Sequence, residues 1–338
     1  MRAIGYRKPS PISHADSLVE LELERPRPGA RDLLVAVQAV SVNPVDVKLR
    51  AHAAPAEGSA RVLGFDAAGV VEAVGAEVTL FRPGERVYYA GALDRPGSNA
   101  ELQLVDERVV GHMPATLSFA DAAALPLTSL TAWELLFERL GVLRERDARG
   151  DALLVVGGAG GVGSMLIQLA RQLTGLRVIA TASRPETVAW CRELGAHDVI
   201  DHRGSLAEQL AAIGAPEVRY IAGLTHTERH FPVLARVIAP FGRLAVIDDP
   251  PALDVVPLKR KSASLAWELM FTRTLFQTAD MVLQHTILDE VARLVDAGVV
   301  RSTVSERLEG ITAATLKDAH ARVESGQMRG KLVLSRQS

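Results

Sequence analysis

Apolar and acidic side chains alternate over residues 18–24, the period-two pattern of a half-buried strand, and Pro26 and Pro28 close it. Residues 33–42 predict the next strand, which stops at Asn43-Pro44, and 45–50 begin a short helix. Residues 62–74 and 86–90 continue this rhythm of short strands and turns, with 51–58 the most loop-like stretch among them. From Ser118 the texture changes: a serine with Asp121 three positions on marks a helix N-terminus. Pro126 interrupts that helix and 127–140 continue it. Strand and helix then alternate as 152–157 with 162–173, 177–182 with 186–194, and 198–201 with 205–213. A strand at 218–222, a helix at 228–239 and a strand at 243–247 follow. Such alternation predicts an α/β fold with a doubly wound parallel sheet. Beyond Pro257 the pattern predicts helices over 264–275 and 286–297, with a last strand at 331–334. On the first of these helices Trp267, Met270, Phe271 and Phe276 would share one face, as packed core or as an apolar lid.

The totals narrow the picture. At 338 residues the chain exceeds one ordinary core and suits two domains. With 48% hydrophobic and 23% charged residues it is globular in composition. A net charge of -2 gives no electrostatic case for nucleic acid or an anionic membrane, and neither partner is expected. Cys191 is the one cysteine, which excludes an internal disulfide and a cysteine-rich zinc lobe. Its place in an apolar helical pattern predicts an inert core thiol. The first residues lack the apolar core of a signal peptide, and no run of about 18 apolar residues occurs, so the expected location is the cytoplasm.

The chemistry centres on one turn. Gly158, Gly160 and Gly163, with Ala159, Gly161 and Val162 between them, stand in G-x-G-x-x-G spacing between a buried strand and an apolar helix. This is the Rossmann dinucleotide arrangement. The first glycine allows the tight turn, the second lets backbone approach a pyrophosphate, and the third lets helix and strand pack closely. About twenty positions beyond Gly163, where an NAD-binding unit carries an acidic residue, the chain reads Thr181-Ala182-Ser183-Arg184. Ser183 can donate to a 2′-phosphate and Arg184 can pair with it, which favours NADPH, while Glu186 weighs mildly against this.

Other motifs fall in order along nearly the whole chain. They are Val42-Asn43-Pro44-Val45-Asp46, Leu63-Gly64-Phe65-Asp66-Ala67-Ala68-Gly69-Val70-Val71, Pro83-Gly84-Glu85-Arg86-Val87, Leu130-Thr131-Ala132-Trp133 and Gly330-Lys331-Leu332-Val333-Leu334. Through these and the glycine turn the chain resembles the medium-chain dehydrogenase/reductase superfamily, in its zinc-free quinone-oxidoreductase-like branch. Lys259-Arg260-Lys261-Ser262 and Trp267-Glu268-Leu269-Met270-Phe271-Thr272-Arg273 are similar to a narrower subgroup often labelled zinc-type alcohol dehydrogenase-like. The resemblance implies a mainly β, GroES-like catalytic domain over 1–125, an NADP-binding Rossmann domain over 126–265, and a return of 266–338 to the catalytic domain. It also implies a homodimer paired through the edge of the nucleotide-domain sheet.

Zinc members of the superfamily place a cysteine shortly before the Asp46-type aspartate and a histidine two residues before the Ala67-Ala68-Gly69 segment. This chain has neither, and His52 and His112 read as surface or loop histidines, so no metal is expected. Without a Lewis acid, alcohol oxidation is disfavoured, whereas a quinone or α,β-unsaturated carbonyl accepts hydride directly. The resemblance puts Asn43 and Asp46 at the nicotinamide end of the cleft and Thr131 on the carboxamide or ribose. Lys48 is the candidate donor to the acceptor oxygen. Asn43 also reads as a turn starter and Asp46 as a helix cap. His202, where relatives often have a tyrosine beside the adenine-side phosphate, and Ile247 complete the expected cofactor set. Two other functions stay open: a zinc-type alcohol dehydrogenase, or a weakly catalytic NADPH-binding sensor.

Overall fold

Strand Asp32–Ser41 is buried at seven of its ten positions because sheet neighbours lie on both sides of it. The computed structural model describes residues 1–144 and 150–336. It divides into two units, Met1–Leu130 with Phe271–Ser338, and Thr131–Met270.

In the first unit a sheet runs in the order Val304–Glu309, Lys331–Ser335, Asp32–Ser41, Ala67–Val74, Arg86–Tyr89, Val110–His112, with Leu102–Asp106 also paired to Asp32–Ser41. A smaller sheet joins Val19–Glu22, Arg2–Tyr6 and Arg61–Val62. Register decides what meets at one end of the larger sheet. Val40 pairs with Ala67 on one side and with Leu334 on the other. The chain therefore enters helix Pro44–His52 beside the residues just before Ala67 and beside the start of the C-terminal strand.

In the second unit six parallel strands run in the order Asp198–Ile200, Arg177–Thr181, Ala152–Val156, Val218–Gly223, Ile238–Val246, Ser264–Trp267. This is the doubly wound order. The central strand is buried throughout, as a parallel strand covered on both faces must be. Leu154, Ile179, Ile221, Leu234 and Leu244 lie in one hydrophobic cluster.

The structure corrects the expectation for 264–275. Residues Ser264–Trp267 form a parallel edge strand, with Leu244 opposite Leu265, and only Thr272–Leu275 is helical. Pairing with an existing strand overrides the local helical period. Trp267 and Phe276 are exposed while Met270 and Phe271 are buried, so the four do not share a face. The strand expected at 243–247 also starts earlier, at Ile238. After Trp133 the helix widens to a π-helix over Glu134–Arg139. Among the described residues no helix is long and apolar enough to cross a membrane.

Candidate functional site

Gly157 leaves strand Ala152–Val156 at φ +89°, a left-handed conformation that glycine adopts at little steric cost. Its N–H donates to Thr181 Oγ1 (3.0 Å), and the Gly158 N–H donates to the Thr181 carbonyl (3.1 Å). The turn is thus tied to the neighbouring strand. A Cβ on Gly163 would lie 2.4 Å from the Gly157 carbonyl oxygen, and one on Gly158 would lie 2.8 Å from the Ala180 Cβ. Both positions need glycine for close packing. Gly160 is different. A Cβ there would meet only the Gly157 carbonyl oxygen, at 3.6 Å, so its side is open. Gly160 caps helix Gly161–Leu173, whose first N–H groups and positive dipole end favour an anion. Backbone, space and charge all fit a dinucleotide pyrophosphate.

Beyond strand Arg177–Thr181, Ser183 and Arg184 are half-buried, and Arg184 begins helix Pro185–Glu193. Arg184 forms an ion pair with Glu186 at 3.2 Å; both side chains reach solvent, so the pair is weak and displaceable. Arg203, absent from the expected set, donates to the Ser183 carbonyl (2.8 Å) and pairs with Asp201. The His202 ring lies 6.4 Å from that of His230. Burial pushes His202 down, Asp201 opposes, and Arg203, His226 and Arg229 push it further down. Arg184 and Arg203 are thus the cations beside Ser183, each paired with a carboxylate. Ile247 donates its N–H to the Gly223 carbonyl (3.2 Å), at the C-terminal end of the parallel strands.

In the first unit Asn43 and Asp46 come together as a cap. Pro44 opens the helix, and Asp46 Oδ2 accepts the Asn43 N–H at 2.9 Å. Asp46 Oδ1 accepts the Gly64 N–H, also at 2.9 Å. Burial raises the Asp46 carboxyl to about 7, against the backbone donors and Lys331 that favour its charged form. The Asn43 side chain turns the other way. Its Nδ2 donates to Asp66 Oδ2 (2.8 Å), and its Oδ1 accepts from Lys331 Nζ. Lys331 also donates to Asp66 Oδ2 (2.9 Å), and Asp66 Oδ1 accepts the Leu127 N–H (2.8 Å). All four side chains are at most 4% exposed.

Of the readings offered for Asn43 and Asp46, the structure shows the turn and the helix cap. These side chains bond within the first unit and hold the turn in place. Lys331, outside the expected site set, is the cation that holds the network. Lys48 is exposed and stands two residues past Asp46, hence on another side of the helix. Thr131 is buried in the second unit.

The same network tests for a catalytic zinc. It offers two carboxylates and an amide, with Asp66 and Asn43 already bonded to an ammonium and Asp46 to backbone N–H groups, and no histidine or cysteine. Three such side chains, each already engaged, do not fit the three-ligand set of a catalytic zinc.

The alcohol dehydrogenase GroES-like domain family matches residues 29–127, and the zinc-binding dehydrogenase family matches residues 194–334. The zinc-type alcohol dehydrogenase-like protein of Staphylococcus aureus is 38% identical over 99% of this chain and 100% of its own length. A Rhizobium etli CFN 42 structure named for a zinc-dependent alcohol dehydrogenase is 54% identical, with a TM-score of 0.96 over 100% of this chain and 98% of that one. A mycobacterial protein solved with NADPH is 27% identical (TM-score 0.85, 99% and 100% covered). A Pseudomonas syringae quinone oxidoreductase is 26% identical (TM-score 0.82, 99% of both chains). The chain belongs to the medium-chain dehydrogenase/reductase superfamily of oxidoreductases, and it is similar over its full length to zinc-type alcohol dehydrogenase-like proteins.

Proposed function

We propose that this oxidoreductase is NADPH-dependent and zinc-independent, and that its acceptor is a quinone or an α,β-unsaturated carbonyl. The observation that carries this reading is the pairing of an intact dinucleotide turn with a would-be metal pocket filled by the Lys331 ammonium. The NADPH-bound mycobacterial structure and the Pseudomonas syringae quinone oxidoreductase support it as relatives. The zinc-named relatives favour the alcohol dehydrogenase alternative, but the residues at that position in this chain do not.

The bound cofactor supplies the hydride. Everything else falls to the protein. Backbone N–H groups at Gly160–Gly163 would bind the pyrophosphate, and Ser183 and Arg184 would hold the 2′-phosphate. His202 and Ile247 shape the remaining cofactor contacts, and Thr131 orients the nicotinamide end. Lys48 hydrogen-bonds the acceptor oxygen or returns a proton to it. Asn43 and Asp46 keep helix Pro44–His52, and Lys48 on it, in place. The first unit is then the catalytic domain and the second the cofactor domain. A homodimer formed along strand Ser264–Trp267, the last in its sheet among the described residues and carrying the exposed Trp267, would cover that edge.

The test is loss of NADPH absorbance against quinones, enones and simple aldehydes, with NADH in parallel. Quinone or enone turnover with NADPH preferred is the expected result; turnover of simple alcohols and aldehydes alone would reject it. Arg184→Ala should weaken NADPH roughly tenfold more than NADH, the scale of one lost charge-assisted contact. Equal losses for both cofactors would remove Arg184 from the 2′-phosphate site.

A further inference from the structure

Gly111 brings two elements of the first unit unusually close. A Cβ at that position would lie 2.4 Å from the Cβ of Leu288, so only glycine lets helix Leu283–Asp296 settle on strand Val110–His112. The close approach delivers the helix's His285 and Asp289, one turn apart, to His112 at the strand end. Among the described residues this is the one group of three potential metal-binding side chains whose ligand atoms converge, all within 4.8 Å of one another.

The surrounding contacts aim each side chain. The His112 N–H donates to Asp289 Oδ1 (2.8 Å), which turns Oδ2 toward the two imidazoles. His285 Nδ1 lies 2.6 Å from the Val110 carbonyl oxygen. That oxygen can only accept, so Nδ1 carries the proton and Nε2 presents its lone pair. Backbone carbonyls fix metal-binding histidines in this way. The free Nε2 lies 3.5 Å from Asp289 Oδ2, and His112 Nδ1 lies 3.0 Å from the same oxygen. Ligand bonds of about 2.0–2.1 Å in a tetrahedron give ligand–ligand edges of about 3.3–3.4 Å. The two observed edges bracket that value. Glu85 Oε2 stands 4.0 Å from His112 Nε2, on the far side of that ring. Phe81 packs against both rings, with centroids 4.6 Å from His112 and 5.5 Å from His285, and limits their rotation. The side chains of His112 and Asp289 are 46% and 36% exposed, so an ion can enter and water can complete its coordination.

We propose that His112, His285 and Asp289 bind one divalent transition cation of the zinc class, at a site separate from the Asn43, Asp46, Asp66 and Lys331 network. Two imidazoles and a carboxylate suit zinc, with nickel and copper as chemical competitors, and exclude a preference for calcium or magnesium. The ion joins a strand end to a helix and stabilises the folded state by linkage. It would also give a zinc-loaded protein whose metal has no part at the cofactor turn.

The experiment uses the full chain, stripped with chelator and titrated with zinc by calorimetry. One zinc per chain is expected, with affinity lowered at least tenfold in both His285→Ala and Asp289→Asn, each shown to be folded by circular dichroism without metal. The wild-type chain gives an independent readout by histidine-ring NMR. Of its nine histidines, only His112 and His285 should shift on saturation with zinc. Absence of binding at tens of micromolar zinc overturns the site. So does undiminished affinity in the folded variants, or movement of other histidines instead.

Discussion

Replacing Lys331 with Met should cost roughly 3–5 kcal/mol of folding stability, the range seen when one partner of a buried ion pair is removed. Lys331 and Asp66 are 4% and 0% exposed, and their atoms meet at 2.9 Å. Burial pushes the Asp66 carboxyl up; Lys331 is the chief opposing influence, ahead of the Leu127 N–H and Asn43. Without the ammonium, Asp66 either stays charged in a medium that cannot solvate it or takes up a proton. Asn43 Oδ1 loses its donor at the same time. Adding Asp66→Asn to Lys331→Met should recover a large part of the loss, because the uncompensated charge disappears. Chemical denaturation of the two single variants and the double variant measures the coupling. A loss below about 1 kcal/mol for Lys331→Met would mean that the network does not carry this end of the sheet.

The parts of the molecule legible in the sequence are those encoded by neighbours in the chain. The strand 33–42, the cap at Ser118, where Ser118 Oγ accepts the Asp121 N–H, and the glycine turn each depend on residues a few positions apart. Lys331 was illegible for the opposite reason. It meets Asp66 and Asn43 across 265 and 288 positions, through the pairing of Lys331–Ser335 with Asp32–Ser41. A lysine beginning an apolar strand was the available signal, since a cation there must find a partner once buried. His112 and Asp289 are 177 positions apart and meet only because Gly111 allows close packing. Edge strand Ser264–Trp267 was misread because two exposed and two buried aromatic or sulfur-bearing residues mimic a helical period. Strand Val304–Glu309 was not anticipated either. Its sequence, Val-Ser-Glu-Arg-Leu-Glu, lacks alternation, and it pairs through backbone with Lys331–Ser335.

Acid should weaken the first unit through His320, and His320→Leu should remove that weakness. His320 lies on helix Ala313–Glu324 with no exposure, and neither ring nitrogen has a hydrogen-bond partner. Burial lowers its pKa from 6.5 to about 3, and the nearby Arg50 guanidinium adds to the effect. Arg50 is itself buried and is held by Glu324 and the Ser10 carbonyl, so it cannot move away. The sign follows from which state binds the proton. Between pH 6.5 and about 3 the unfolded chain protonates this histidine and the folded chain does not. Stability from this group is therefore complete above pH 6.5 and declines as pH falls. The decline amounts to about 2 kcal/mol at pH 5 and about 3 kcal/mol at pH 4, at 1.36 kcal/mol per pKa unit. Other groups titrate in the same range, but they are common to both proteins, so the difference between wild type and His320→Leu isolates this residue. Thermal melts at pH 7.5, 6 and 5 should show the variant gaining on the wild type as pH drops. Parallel pH profiles would mean that the His320 ring takes up its proton in the folded state, and that burial at this position is relieved by local opening.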